Sequence, residues 1–385
     1  MFLYHNSRQI AYRDPFGAAP VGSQVTLSLD AAVPEGTSVM LRLWQEGETL
    51  LPMVPAGENR WTCRLTLPEQ AGLLWYYFVV ETPEGTLYYG KAPHCTGGCG
   101  AVTSTPPDSW QITVYVPQPL PDWYQNAVAY QIFPDRFHRG RDWQTRQQNA
   151  AHRAGWKGSH RLVVQDWNDK PFYCKDSQGR VTRWPFFGGT LEGIREKLPY
   201  LKSLGIGVLY LNPIFTASSN HKYDTGDYLT IDPGFGDRES FQRLCREAEA
   251  AGIRILLDGV FSHTGDDSIY FNRWGNYPNP GAFAQSGSPY DSWYRFGTQY
   301  PCGYESWWGV DSLPDVEETD PGYQDFICGP KGVIRTWLGL GASGWRLDVA
   351  DELPDSFIRR IRQAGLAERS DALLLGEVWE DASNK

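Results

Sequence analysis

An N-terminal β-sandwich followed by an α/β region built on a parallel sheet is the fold class the sequence predicts, on three observations. Short alternating runs separated by turns fill roughly the first 120 residues; strands then alternate with helical stripes; and acidic residues recur at the C-terminal ends of those strands. With 385 residues the chain exceeds what one core usually organises, so at least two domains are expected.

The sandwich rests on the runs SQVTLSLD, SVMLRLWQ, RWTCRLTL, LWYYFVVE and SWQITVYV, separated by VPEG, AGEN and TPEG. Repeated short strands with turns at this spacing mark a sandwich. The proline-rich VPQPLPDW is the boundary, giving domains at 1–120 and 121–385.

Beyond it, AVAYQIF (127–133) and GVLYLN (207–212) are the first two strands. Between them Leu191, Ile194, Leu198, Leu201 and Leu204 form one helical stripe, with Thr190 as N-cap, Gly205 as the stop and Pro199 predicting a bend or break. A helix from Asp237 leads to strand three, IRILLDGVF; helices ending in IRTWLGLG and around DSFIRRIRQAG precede strand four, WRLDV, and strand five, ALLLGEV. Apolar strands alternating with helices indicate a parallel sheet covered by helices. Asp258 and Asp348 lie 90 positions apart, against 29 from Asp348 to Glu377, so an inserted subdomain at 264–320 is expected after strand three. A second excursion, 138–187, follows strand one.

Composition narrows the function classes. A formal net charge of -10 without basic blocks disfavours nucleic acid or anionic membrane as partner and suits a neutral ligand. No apolar run reaches the length of a membrane span and the first residues lack signal-peptide regions, so a cytoplasmic location is expected. Seven scattered cysteines argue against a disulfide framework, and HCTGGCG reads as a Gly-rich loop rather than a metal site.

In an α/β barrel the strand C-termini open onto the active-site face. Asp258, Asp348 and Glu377 end strands three, four and five, so three acids gather there. Arg346 and Asp348 are two apart on one strand and point to the same face, where the guanidinium would hold the aspartate ionised. Neighbouring strands are about 4.8 Å apart, so Asp348 and Glu377 can approach the roughly 5 to 5.5 Å separation of retaining glycosidases. Asp348 would attack the anomeric carbon and Glu377 would act as acid, then base, staying protonated longer because it lacks an adjacent arginine. The alternatives are a buried ion pair that orders the barrel, and a Glu377 that caps the following helix.

The stretches YQIFPDRF, SNHKYDTGDY, DGVFSH, GWRLDVADE and GEVWED, in this order, resemble the conserved regions of the α-amylase family of glycoside hydrolases. The N-terminal sandwich, FFGGTLEGI and SNHKYDTGDY are most similar to the neopullulanase, cyclomaltodextrinase and amylopullulanase branch, and GEVWEDASNK to its amylopullulanase-like members. The resemblance implies Asp348 as nucleophile and Glu377 as acid/base. It also implies that His263 and Arg346 bind around the cleaved sugar, that Tyr223 stacks beneath it, and that His221 and Asp258 shape the same subsite. A loop-ordering role for His263 and a packing role for Tyr223 and His221 remain the plainer alternatives.

The expected function is hydrolysis of α-glucosidic bonds in maltodextrin, cyclodextrin or pullulan. The rival readings are a non-catalytic glycan-binding scaffold and a transglycosylase. The N-terminal domain would bind glucan through Trp44, Trp61 or Trp75, or form a homodimer. Two departures from the family bear on cofactors, of which none is required. Ser262 stands where many relatives have asparagine, and HRGRDWQTRQQN replaces an Asn- and Asp-bearing calcium loop, so calcium is disfavoured. A third catalytic carboxylate, in an asparagine-histidine-aspartate motif, does not occur before Lys385. The expectation is therefore an incomplete TIM (β/α)8 barrel of five strands, the N-terminal part of a longer enzyme and inactive, or nearly so, by itself.

Overall fold

The computed structural model describes residues 2–151, 161–177 and 179–379. They fall into two compact units, 2–119 and Leu120–Trp379.

The first unit holds two sheets. Gln24–Ala32 lies between Phe2–Tyr4 and Arg60–Thr66 in one, and Gly72–Thr82 pairs with Ser38–Trp44, Gly85–Lys91 and Trp110–Tyr115 in the other. Alternate residues point to opposite faces of a strand, so Val25, Leu27 and Leu29 join Leu41, Phe78, Val80 and Ile112 in one core. His5 is buried in it between the Ser28 carbonyl and the Tyr76 hydroxyl, and burial lowers its pKa to about 3. Of the three tryptophans expected to face a ligand or the core, Trp44 is exposed and Trp61 and Trp75 are half-buried.

The second unit is organised by five parallel strands in sequential order: β1 (Val128–Ile132), β2 (Ile206–Leu211), β3 (Arg254–Gly259), β4 (Gly344–Leu347) and β5 (Leu373–Gly376). The Thr190 side chain caps Leu191–Glu196 by accepting from Gly193 N, and the stripe restarts as Leu198–Ser203, so the break falls at Lys197, just before Pro199. Asp237 caps Arg238–Ala250 in a reciprocal box with Ser240. Phe241 and Leu244 of that helix pack with Phe215, Trp337 and Trp345 in the core. β1 differs from expectation. Its apolar run is exposed from Val128 to Gln131, because β1 is an edge strand among the described residues.

Two segments without clear periodicity are more ordered than expected. The 138–187 excursion contains a helix, Trp143–Ala150, and a small sheet in which Val181–Phe186 pairs with Arg161–Val163 and Cys174–Lys175. SNHKYDTGDY enters a strand, Thr225–Ile231, that pairs with Phe215–Ala217. The stretch after β3 holds three short 3-10 turns around buried Tyr270, Phe271, Trp293 and Tyr304.

β4 and β5 meet at Gly344, where a Cβ would lie 2.2 Å from the Leu373 carbonyl oxygen. Gly344→Ala is therefore expected to destabilise the fold by about 3 kcal/mol, read as a lower urea midpoint; an unchanged midpoint would mean that the strands separate freely here.

Candidate active site

The sheet register sets the site. Asp258 of β3 lies opposite Arg346 of β4, and Asp348 and Glu377 each follow their strand by one residue. The Asp348 amide donates to the Gly259 carbonyl at 3.1 Å and the Glu377 amide to the Leu347 carbonyl at 3.0 Å, extending the ladder just far enough to place both.

One guanidinium organises the three acids. Arg346 Nη1 donates to Asp258 Oδ1 at 2.8 Å and to Asp348 Oδ1 at 2.7 Å, while Nη2 lies 2.7 Å from Glu377 Oε1. Asp258 also accepts from the hydroxyls of Tyr210 and Tyr223, the latter at 3.0 Å. The second Glu377 oxygen accepts from Val349 N at 3.1 Å, and Val349 has a φ of 41°. A β-branched residue in the left-handed region is strained, and here the strained amide is aimed at a site carboxylate.

Two electrostatic expectations are corrected. Arg346 does not keep Asp348 at an ordinary carboxylate pKa: burial and the adjacent Asp258 raise it to about 7, against the pull of the guanidinium. Asp258 is raised to about 6, again chiefly by burial. Nor is Glu377 free of an arginine, since Arg346 is long enough to reach past Asp348 to the neighbouring strand. Proximity along the chain identified the partner of Asp348 but not that of Glu377.

The expected histidines join the same network. His263 Nε2 donates to the Tyr223 carbonyl at 3.2 Å, leaving Nδ1 to accept from the Ser262 hydroxyl at 3.0 Å. Burial lowers its pKa to about 4, so it is neutral. His221 Nδ1 accepts from Tyr223 N at 3.1 Å, and burial lowers its pKa as well. Tyr223 thus links both histidines to Asp258, and all seven expected residues belong to one hydrogen-bonded set.

Sequence reasoning missed several neighbours. Tyr210 was counted only as a strand residue; its signal was a hydroxyl within an apolar run at a strand end. Trp184 stands edge-on to His221 at 4.9 Å. On the other side the Trp307 ring lies 5.3 Å from His263 and stacks on Trp308 at 5.2 Å, and Trp308 lies 6.0 Å from Trp379. Both indole N–H groups of the stacked pair donate to one carboxylate, Glu352, at 2.9 and 3.0 Å. Trp308 and Trp379 are 71% and 68% exposed. A row of rings thus runs outward from a buried histidine to solvent.

In the segment after Phe137, Arg139 donates to the Val164, Gln165 and Phe187 carbonyls. Ser262 is likewise engaged, with His263.

Comparison with known proteins places this geometry in context. A family model described as alpha amylase, catalytic domain, matches residues 131–385. An amylopullulanase of Thermoanaerobacterium saccharolyticum is 39% identical over 99% of this chain and 32% of its own length. Neopullulanase 2 of Thermoactinomyces vulgaris is 37% identical over 68% of this chain and 40% of its own length. This chain thus spans about a third of the amylopullulanase. Among solved structures, the type III pullulan hydrolase from Thermococcus kodakarensis is similar over 98% of this chain and 62% of its own, with 25% identity and a TM-score of 0.58.

Proposed function

The chain belongs to the α-amylase family, and from that membership we propose that it carries the catalytic carboxylates of a retaining glycoside hydrolase acting on α-glucosidic bonds. The substrates would be maltodextrin, cyclodextrin or pullulan. The observation that carries the reading is the attachment of Asp348 and Glu377 to the two ends of one guanidinium, which keeps both within reach of one linkage.

In the first step the Asp348 carboxylate bonds to the anomeric carbon as the glycosidic C–O bond breaks, and the Glu377 proton goes to the leaving oxygen. In the second, the Glu377 carboxylate takes a proton from water, whose oxygen replaces Asp348 on the sugar. Arg346 donates to both acids and passes from one to the other as charge moves between them. Glu377 must leave Arg346 to act as acid, and an incoming sugar that displaces the guanidinium from it would arm it. Tyr223, His221, His263 and Asp258 line the cleaved sugar's subsite, and the Trp307–Trp308–Trp379 row offers flat apolar faces to further glucose units.

On this reading β1 to β5 are the first five staves of a (β/α)8 barrel, 264–320 is a subdomain inserted after the third, and the 1–120 sandwich binds glucan or pairs two subunits. The chemistry assigned to these residues is complete without a cofactor. Neither nucleic acid nor membrane is a partner on this reading, and a cytoplasmic location accords with seven unpaired cysteines. Among the described residues no helix is long and apolar enough to cross a membrane. A non-catalytic binder fits less well, because two buried aspartates and a third carboxylate gathered around one cation are costly and serve no neutral ligand.

Treatment of the native polypeptide with a 5-fluoro-α-glucosyl fluoride should leave a covalent glycosyl adduct on the peptide containing Asp348, detected by mass spectrometry. An adduct on another residue, or none despite normal glucan hydrolysis, would reject the nucleophile.

A further inference from the structure

The turn after β1 holds an arginine where three backbone carbonyls from two segments, one with Val164 and Gln165 and one with Phe187, converge. Arg139 donates from Nη2 to Val164 O at 2.6 Å, from Nη1 to Gln165 O at 2.8 Å and from Nε to Phe187 O at 2.7 Å. Its guanidinium lies 4.0 Å from the centre of the Trp143 ring and 5.5 Å from that of Trp167. Converging carbonyl oxygens are a common cradle for hard cations. Here a planar, permanently charged fork fills the cradle, and aromatic faces lend it further support.

The clamp holds one peptide segment from both sides. The Phe187 carbonyl accepts from Arg139, while the Phe187 and Gly188 amides donate to the buried Asp135 at 2.9 and 3.0 Å. Val181–Phe186 runs directly into this clamp and carries Trp184, the ring edge-on to His221. Arg136 and Asn220 both donate to the Pro185 carbonyl, at 3.1 and 2.9 Å, so the same strand is tied to the His221 loop as well.

We propose that Arg139 takes the place of a structural metal ion. It docks the 161–187 segment onto the turn after β1 without a divalent cation, and it thereby positions Trp184 against His221. The positioning clause rests on the proposed role of His221 in sugar binding; the docking clause does not.

Thermal unfolding of the full chain tests the docking clause with no need for turnover. The wild-type midpoint is expected to be the same in EDTA and in calcium chloride. Arg139→Ala is expected to lower it by about 5 °C or more, and millimolar guanidinium ion to restore part of the loss in the variant while leaving the wild type unmoved. Arg139→Lys, which keeps the charge without the fork, should fall between them. Affinity for maltohexaose, read by tryptophan fluorescence, should drop several-fold in Arg139→Ala and recover with guanidinium. A wild-type midpoint that falls in EDTA, or an Arg139→Ala midpoint equal to the wild type, overturns the proposal. Unchanged maltohexaose affinity in a destabilised Arg139→Ala overturns the positioning clause.

Discussion

Asp348→Asn is expected to lower turnover on the order of 10⁴-fold or more and, at the same time, to make the protein more stable above neutral pH. The first effect follows, on the proposed mechanism, from removing the attacking oxygen. The second follows from what burial does to the native carboxyl. Its pKa rises from an ordinary 3.8 to about 7 on folding, so between these values the folded state holds a proton that the unfolded chain has released. The contribution that favours folding is complete below about pH 4 and is lost as the pH rises through about 7. Asp258, raised to about 6, acts with the same sign. At pH 8 the wild type therefore carries a cost, roughly 4 kcal/mol, that a neutral amide of the same shape avoids. Urea midpoints at pH 5 and pH 8 check this: the wild type should lose stability over that interval and Asp348→Asn should lose less. Parallel slopes would show that burial of Asp348 does not govern its titration.

Arg346→Met is the change expected to cost the fold most among the site residues, about 3 to 5 kcal/mol at neutral pH. Its removal leaves Asp258 and Asp348, both buried, and Glu377 without their shared cation. Protonation can relieve such a deficit, because a neutral carboxyl needs no counter-charge. The loss should accordingly shrink when denaturation is measured near pH 5, below the raised values of both aspartates. Arg346→Lys should fall between, since a single ammonium cannot reproduce Nη1 bridging two aspartates while Nη2 meets Glu377. A loss of the same size at both pH values would contradict the shared-cation account.

How much of this was legible in the sequence depended on periodicity. The helix caps at Thr190 and Asp237 and the acids at the ends of β3, β4 and β5 follow local rules, in which a side chain's face is set by its neighbours two or four positions away. The Arg346–Asp348 contact was visible for the same reason. The Arg346–Glu377 contact was not, because strand spacing limits how far apart two side chains can be without saying which of several partners a long arginine will choose. Trp307, Trp308 and Glu352 meet through an irregular segment with no repeat to read, across 44 and 45 positions. The small sheet at Arg161–Val163 and Val181–Phe186 was hidden likewise: its strands are short, and a charged or proline residue interrupts the longer one.

The single guanidinium facing three acids has one more consequence. With every carboxylate ionised, Asp258, Asp348 and Glu377 carry two more negative charges than Arg346 balances. The raised pKa of Asp348, about 7, lets proton uptake reduce that imbalance as the pH falls. On the proposed mechanism the sugar ring becomes cationic as a glycosidic bond parts and can offset the same imbalance. On that mechanism the three acids suit a species that exists only at the crest of the reaction, and a basic, ring-nitrogen sugar mimic should be held more tightly as the medium turns alkaline, until the mimic itself loses its charge.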